Sequence, residues 1–277
     1  MAKTYVEVLS RASSFLEEAG LEGYAIEYLF LERKGWDKTQ WLLHMREAIS
    51  LEEEMRIQAD LQQLLEYVPA QYILGYGNFL GHRLKVTKDT LIPRPETEEL
   101  VMLCLTKNQQ RQNLKVVDIG TGTGAIAISL KLARPDWQVQ AVDISQKTLA
   151  VAEENANRLK ADILFHLGDV LSTISEPQDI IISNPPYIGH SEWSLMDESV
   201  RTYEPKKALF AENDGLAIYQ KIAEEAPNYL KSDGMVFLEI GFKQGSTVKE
   251  LMKEAFPAKQ VEVKKDLSGN DRMIVVS

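Results

Sequence analysis

The apolar run Ile180-Ile181-Ile182-Ser183 opens into Asn184-Pro185-Pro186-Tyr187. At the end of a strand, that tetrapeptide has a chemical use. An amide or aryl amine is a poor nucleophile because its lone pair is delocalised. Two acceptors, the Asn184 side-chain oxygen and the Pro185 carbonyl, could hold both N–H bonds of such a group and aim its lone pair at an electrophilic methyl. The prolines fix φ and remove competing backbone donors. Tyr187 offers a flat face beside a planar group. Displacement at a sulfonium needs no general base: holding two reactants in attack geometry is worth about 7–11 kcal/mol, and the amide proton leaves after the methyl arrives. A rigid Pro-Pro turn is the purely structural alternative.

Upstream, Val117-Asp118-Ile119 runs into Gly120-Thr121-Gly122-Thr123-Gly124-Ala125. Glycines at alternate positions let the chain turn sharply and let a ligand lie against bare backbone, at a helix start whose N–H groups point outward. Taken alone the loop is ambiguous, because Gly120-x-Gly122-x-x-Ala125 also satisfies the dinucleotide fingerprint. Asp143, closing the next strand candidate, suits either ligand, since a carboxylate there accepts both ribose hydroxyls. Asp169 closes a third strand candidate, where its carboxylate could accept from an adenine amino group. A nicotinamide enzyme has no need of the Asn184 tetrapeptide. A sulfonium methyl donor does, and that favours S-adenosylmethionine.

These groups need strands to carry them. From about residue 97, apolar β-branched runs at 115–119, 139–142, 163–167, 180–183, 235–240, 261–264 and 273–276 alternate with helical periodicity at 97–108, 125–133, 145–159, 215–230 and 246–256. Four short buried-type strands separated by helices predict right-handed crossovers and a parallel sheet. Only a short loop separates the last two runs, so they must pair as an antiparallel hairpin. The predicted fold class is α/β: a seven-stranded, mostly parallel Rossmann-like sheet of the class I methyltransferase type, preceded by a small N-terminal helical bundle. Thr4-x-x-Glu7 and Ser50-x-x-Glu53 match the capping box that starts a helix. Val8, Phe15, Leu16, Leu51, Met55, Leu61, Leu64 and Leu65 recur near helical spacing, which predicts four or five helices. The expected division is a bundle over 1–76, a Gly- and Pro-rich hairpin or linker over 77–95, and a catalytic domain over 96–277.

The remaining composition excludes more than it assigns. The chain has 277 residues, 44 % hydrophobic and 26 % charged, enough to bury a sizeable core. A net charge of −10 without a Lys/Arg cluster argues against a nucleic-acid substrate. No apolar run approaches a membrane span and no leader-type segment is seen, so a cytoplasmic protein is expected; it is read as a monomer. The single cysteine, Cys104, lies in an apolar row and reads as core, and four scattered histidines give no metal-ligand spacing. Arg94 and Glu96, set among prolines, read as structural ion-pair formers, and the four tryptophans as packing groups.

Several longer segments narrow the reading. Pro69-Ala-Gln-Tyr-Ile-Leu-Gly75, Leu91-Ile-Pro-Arg-Pro-Glu-Thr-Glu98, Asp118 to Gly124, the Asn184 tetrapeptide, Tyr203-Glu-Pro205 with Ala208-Leu209, Asp214-Gly215 and Gly269-Asn-Asp-Arg272 span nearly the whole chain. Together they resemble the HemK/PrmC family, methyltransferases that modify the glutamine of the Gly-Gly-Gln motif in class I peptide chain release factors. Asn-Pro-Pro-Tyr itself also occurs in adenine-N6 DNA and guanine-N2 RNA methyltransferases. The resemblance implies that Gly120, Thr121, Gly122, Thr123 and Gly124 contact S-adenosylmethionine, with Asp143 on the ribose and Asp169 and Val170 beside the adenine. It implies that Asn184, Pro185, Pro186 and Tyr187 hold the substrate glutamine, Asn184 also bordering the cofactor. S-adenosylhomocysteine would be the product, and the N-terminal helices would help to dock the release factor. Two positions depart from the family pattern: Glu212, where Gly is frequent, and Val170, where an aromatic is frequent.

Overall fold

A computed structural model describes residues 3–277. Five helices come first: α1 (Tyr5–Glu18), α2 (Tyr24–Lys34), α3 (Lys38–His44), α4 (Leu51–Leu65) and α5 (Ala70–Leu74). The expected capping boxes start α1 and α4, with the Glu7 N–H donating to Thr4 Oγ1 at 3.4 Å and the Glu53 N–H to Ser50 Oγ at 3.2 Å. Asp37 and Gln40 form a third at α3. The buried face differs in part from the predicted one. Leu51 and Met55 are exposed, and α4 buries Leu64 as expected together with Ile57 and Asp60. Asp60 tolerates burial because the Arg33 guanidinium meets it with two hydrogen bonds, of 3.1 and 2.9 Å.

A short hairpin follows, β1 (Tyr76–Phe79) and β2 (His82–Lys85). Leu80 and Gly81 both turn with positive φ, as a two-residue hairpin loop requires. The sheet region then runs α6 (Pro95–Lys107), β3 (Lys115–Ile119), α7 (Ala125–Ala133), β4 (Gln138–Asp143), α8 (Gln146–Leu159), β5 (Ile163–Leu167) and β6 (Gln178–Ser183). Short pieces come next: a 3-10 turn at His190–Leu195, α9 (Glu198–Tyr203), α10 (Lys206–Leu209) and α11 (Glu212–Gly215). The chain ends α12 (Ala217–Tyr229), β7 (Leu230–Glu239), α13 (Gly245–Ala255), β8 (Val261–Lys265) and β9 (Asp271–Val276).

Seven strands form one sheet in the order β5-β4-β3-β6-β7-β9-β8. Only β9 is reversed, pairing antiparallel with both β7 and β8. Side chains alternate between the two faces with the strand period of two. Val116, Ile180 and Ile182 join α6, α7 and α8 in one core, while Val117, Ile119 and Ile181 join α12 and α13 in the other. Every residue of β6 is buried, as expected of a central parallel strand covered by helices on both faces.

By compactness the chain divides into two units. One comprises the described residues up to Tyr76 together with Asp197–Tyr203; the other comprises Gly77–Met196 and Glu204–Ser277. Asp197–Tyr203 lies inside the span read from sequence as the catalytic domain, yet groups with the helices. Within that first unit the Tyr203 hydroxyl donates to the Glu66 carbonyl at 2.8 Å.

Candidate functional site

The chain leaves β3 toward β4 and β5, then returns to add β6 on the other side of β3. Open α/β sheets bind ligands at the carboxyl ends of the strands where the order reverses in this way. Register makes the point concrete. Ile119 lies opposite both Val142 and Ser183, so the loops beginning at Gly120, Asp143 and Asn184 leave neighbouring strands at one level. The Ser183 hydroxyl donates to the Ile119 carbonyl at 2.7 Å, tying the two central loops together at their roots.

A cavity of about 710 Å³ opens there. Gly120, Thr121, Gly122, Thr123, Asp143, Asp169, Val170, Asn184, Pro185 and Pro186 all line it. Two of the proposed site residues do not. Gly124, the N-cap of α7, has φ +83°, a left-handed conformation that favours glycine. Tyr187 packs against the core on the α12 face, and burial and the neighbouring Glu239 carboxylate push its phenol up to about 12. Its side chain is thus not brought to the cavity as the flat face expected from the sequence. Its backbone is clamped instead: the Gln244 side-chain amide donates to the Tyr187 carbonyl at 2.9 Å while accepting from the Gly241 N–H at 3.0 Å.

The glycine loop is held from several sides. Gly120 and Gly122 have φ of +69° and +59°, conformations that side chains rarely adopt. The Asp143 carboxylate accepts from the Gly122 N–H at 3.1 Å and from the Ser145 N–H at 2.9 Å, while burial raises its pKa. Asn155 on α8, fully buried, donates to the carbonyls of Thr123 and Lys85, both at 3.0 Å. Beneath the loop, Asp118 accepts from the Thr121 hydroxyl at 2.6 Å. Its other oxygen has no partner, and burial pushes its pKa up to about 7.

That elevation has a thermodynamic consequence. Folded Asp118 keeps its proton up to about 7, whereas an unfolded carboxyl releases it near 3.8. Between those values the native state binds more protons, so its stability falls as pH rises. Asp118→Asn is expected to flatten the decline by on the order of 1 kcal/mol per pH unit across that window. Denaturant unfolding at several pH values checks this, and parallel curves for the two proteins would refute it.

Around the rim, Asp169 accepts from Lys221 Nζ at 2.6 Å, so its carboxylate is already ion-paired. Val170 is β-branched yet has φ +49°, a strain of about 1–3 kcal/mol. The turn it makes lets the Leu171 N–H donate to Glu225 at 2.9 Å. Arg94 forms an ion pair with the buried Glu204, whose other oxygen accepts from the Ile92 N–H at 3.2 Å. The Pro-rich segment is thereby fastened to Glu204. Glu96 forms no ion pair among the described residues. Charge on the lining is mixed, with Arg94, Lys147, Lys206 and Lys207 against Asp89, Asp143 and Asp169, and it gives no strongly basic face.

Sequence reasoning missed the groups behind Asn184. Its Nδ2 donates to Thr97 Oγ1 at 2.9 Å, and that hydroxyl donates to Glu239 Oε2 at 2.6 Å. Glu239 is 1 % exposed, and burial raises its pKa to about 7. Cys104 is buried and its thiol is pushed well up, as a core residue should be. Among the described residues no group of His, Cys, Asp and Glu could hold a metal ion, and no helix is long and apolar enough to cross a membrane.

Comparison with known proteins decides the family. Residues 7–75 match the PrmC N-terminal domain and residues 96–203 the methyltransferase small domain. The release factor glutamine methyltransferase of Enterococcus faecalis is 59 % identical over 276 residues, covering 99 % of each chain. This chain belongs to the release factor glutamine methyltransferase family. The Bacillus subtilis member is 43 % identical over 98 % of this chain and 97 % of its own. A methyltransferase structure from Pyrococcus furiosus, 18 % identical, aligns with a TM-score of 0.54 over 80 % of this chain and 97 % of that one, a likeness of fold alone. Family membership excludes the nicotinamide reading that the glycine loop by itself left open.

Proposed function

We propose that this protein transfers a methyl group from S-adenosylmethionine to the side-chain amide nitrogen, N5, of the glutamine in the Gly-Gly-Gln motif of class I peptide chain release factors, acting in the cytoplasm. The observation that carries the reading is the register of β3 and β6, which sets Asn184 beside the Gly120 loop at the switch point. The residues present fit the cofactor: bare glycine backbone, a buried Asp143 carboxylate and a cavity of about 710 Å³. When bound, S-adenosylmethionine supplies a sulfonium methyl that passes to the amide nitrogen while the C–S electron pair returns to sulfur, leaving S-adenosylhomocysteine and one proton for solvent.

Gly120, Thr121, Gly122 and Thr123 are the loop residues assigned to the cofactor, Asp143 to its ribose hydroxyls, and the backbone around Asp169 and Val170 to its adenine. Asn184 Oδ1 and the Pro185 carbonyl accept the two N–H bonds of the substrate amide. Pro186 stiffens the segment, and Tyr187 supports it from the core. The helical unit, by its match to the PrmC N-terminal domain, is assigned to docking the release factor.

Asp143→Ala is expected to weaken S-adenosylmethionine binding by about 1.5–3 kcal/mol and to slow the saturated complex far less. The lost carboxylate holds both a ligand position and the Gly122 N–H, remote from the reacting methyl. Calorimetric titration measures it, and an unchanged Kd would remove Asp143 from the site. The function itself is tested with methyl-labelled cofactor and two release factors, one natural and one with the motif glutamine changed to glutamate. Label should enter only the first; equal labelling of both would defeat the assignment.

A further inference from the structure

A side-chain amide has two ends of similar shape and opposite hydrogen-bonding character. Only one orientation of Asn184 serves a substrate that itself brings N–H groups. Oδ1 must face the cavity and Nδ2 must face away, and Asn184 alone cannot enforce this. Thr97, itself on the cavity wall, and the more deeply buried Glu239 enforce it. Thr97 is 5 % exposed, at the first turn of α6, and Glu239 is 1 % exposed, at the end of β7. The Thr97 hydroxyl donates to Glu239 Oε2, 2.6 Å away, the only direction open to it once that carboxyl is ionised, since a carboxylate accepts only. The lone pairs of that hydroxyl are then left for the Asn184 amide, which can meet them only with Nδ2, at 2.9 Å.

We infer that Thr97 is a positioning residue whose hydroxyl, polarised by Glu239, fixes which end of the Asn184 amide meets the substrate. Glu239 is itself held: the Tyr219 hydroxyl donates to its backbone carbonyl at 2.8 Å, and the charges around its carboxyl are those of Arg272, Glu96 and Arg94. The partners that receive Nδ2 belong to α6 and β7, so the orientation is built into the fold. Such preorganisation is what a reaction relying on alignment needs.

The inference rests on the reading of Asn184 as the amide acceptor, so its test has one arm independent of catalysis. In the full-length protein the Asn184 side-chain amide is followed by 15N NMR without cofactor or substrate. In the wild type its hydrogen-bonded proton should exchange slowly. Thr97→Val, nearly isosteric, should abolish that protection, while Thr97→Ser, which keeps the hydroxyl, should retain it. In single-turnover methyl transfer to a release factor, Thr97→Val should lose about ten- to a hundredfold in rate, the scale for removing a group that orients a reacting residue. Its S-adenosylmethionine affinity should stay at the wild-type value, and Thr97→Ser should recover most of the rate. Glu239→Gln, able to donate as well as accept, should give two populations of the Asn184 amide and an intermediate rate. Full rate and full protection in Thr97→Val would overturn the inference, and so would a Thr97→Ser variant as impaired as Thr97→Val. A wild-type protein that transfers no methyl would defeat the functional reading while the exchange measurement still decided the orientation.

Discussion

Asn184→Ala is expected to retain S-adenosylmethionine affinity and lose kcat by about 10²–10³-fold, roughly 2.7–4 kcal/mol, the scale for removing one preorganised polar group from an active site. Asn184 is the only side chain of its tetrapeptide that both lines the cavity and carries an acceptor. Removing it leaves a desolvated substrate N–H unpaired and frees the nitrogen lone pair to point elsewhere. Asn184→Asp is the sharper comparison. It keeps an oxygen at the same place but loses the N–H that meets Thr97, and it brings a second carboxylate toward Glu239. Its rate should therefore fall between alanine and wild type. Single-turnover kinetics at saturating cofactor separate the cases. Equal losses in both variants, arising through cofactor release alone, would make Asn184 a cofactor residue.

Gly215→Ala is expected to be the most damaging single methyl that can be added near the site. Gly215 has φ +83°, and a Cβ there would lie 2.0 Å from the Tyr187 carbonyl oxygen and 2.8 Å from Gln244 Nε2. Neither neighbour can simply yield, because those two atoms are hydrogen-bonded to each other at 2.9 Å. Overpacking together with the left-handed backbone should cost about 2–5 kcal/mol of stability. Activity should fall further than the unfolded fraction explains, since the segment after Asn184 is what moves. Gly81→Ala is the control: its φ is +78° but nothing lies within 4 Å of the added carbon, so it should lose only the conformational part. Thermal unfolding of both variants tests this. Equal melting temperatures would show that contact with Tyr187 is unimportant.

Much of this architecture is visible in the sequence where the cause is local. The alternation of apolar β-branched runs with helical periods locates all seven sheet strands, most plainly β3 and β6, which are buried along nearly their whole length. The Gly120 loop is legible because its conformations restrict residue type. What escapes the sequence is set by distant neighbours. Asn184 and Thr97 are 87 positions apart, and Thr97 and Glu239 are 142 apart, so nothing local pairs them. Asp60 sits on the buried face of α4 only because Arg33 reaches it, and Leu51 and Met55 are displaced to the surface. Residues 190–215 fold as turns and helices of four to six residues, too short for a periodic signal. Residue type suggests a flat face at Tyr187, whereas chain direction after Pro186 decides where the ring goes, and it packs, partly buried, against the core on the α12 face.

Methyl transfer to one glutamine amide of a release factor can be read off the product itself. The protein, S-adenosylmethionine and an unmodified class I release factor are incubated together, and the release factor is digested and sequenced by mass spectrometry. The gain of one methylene on the side chain of the Gly-Gly-Gln glutamine, absent when cofactor or enzyme is omitted, is the predicted result. A methyl group on any other residue, or none on that glutamine while the enzyme binds S-adenosylmethionine normally, would contradict it.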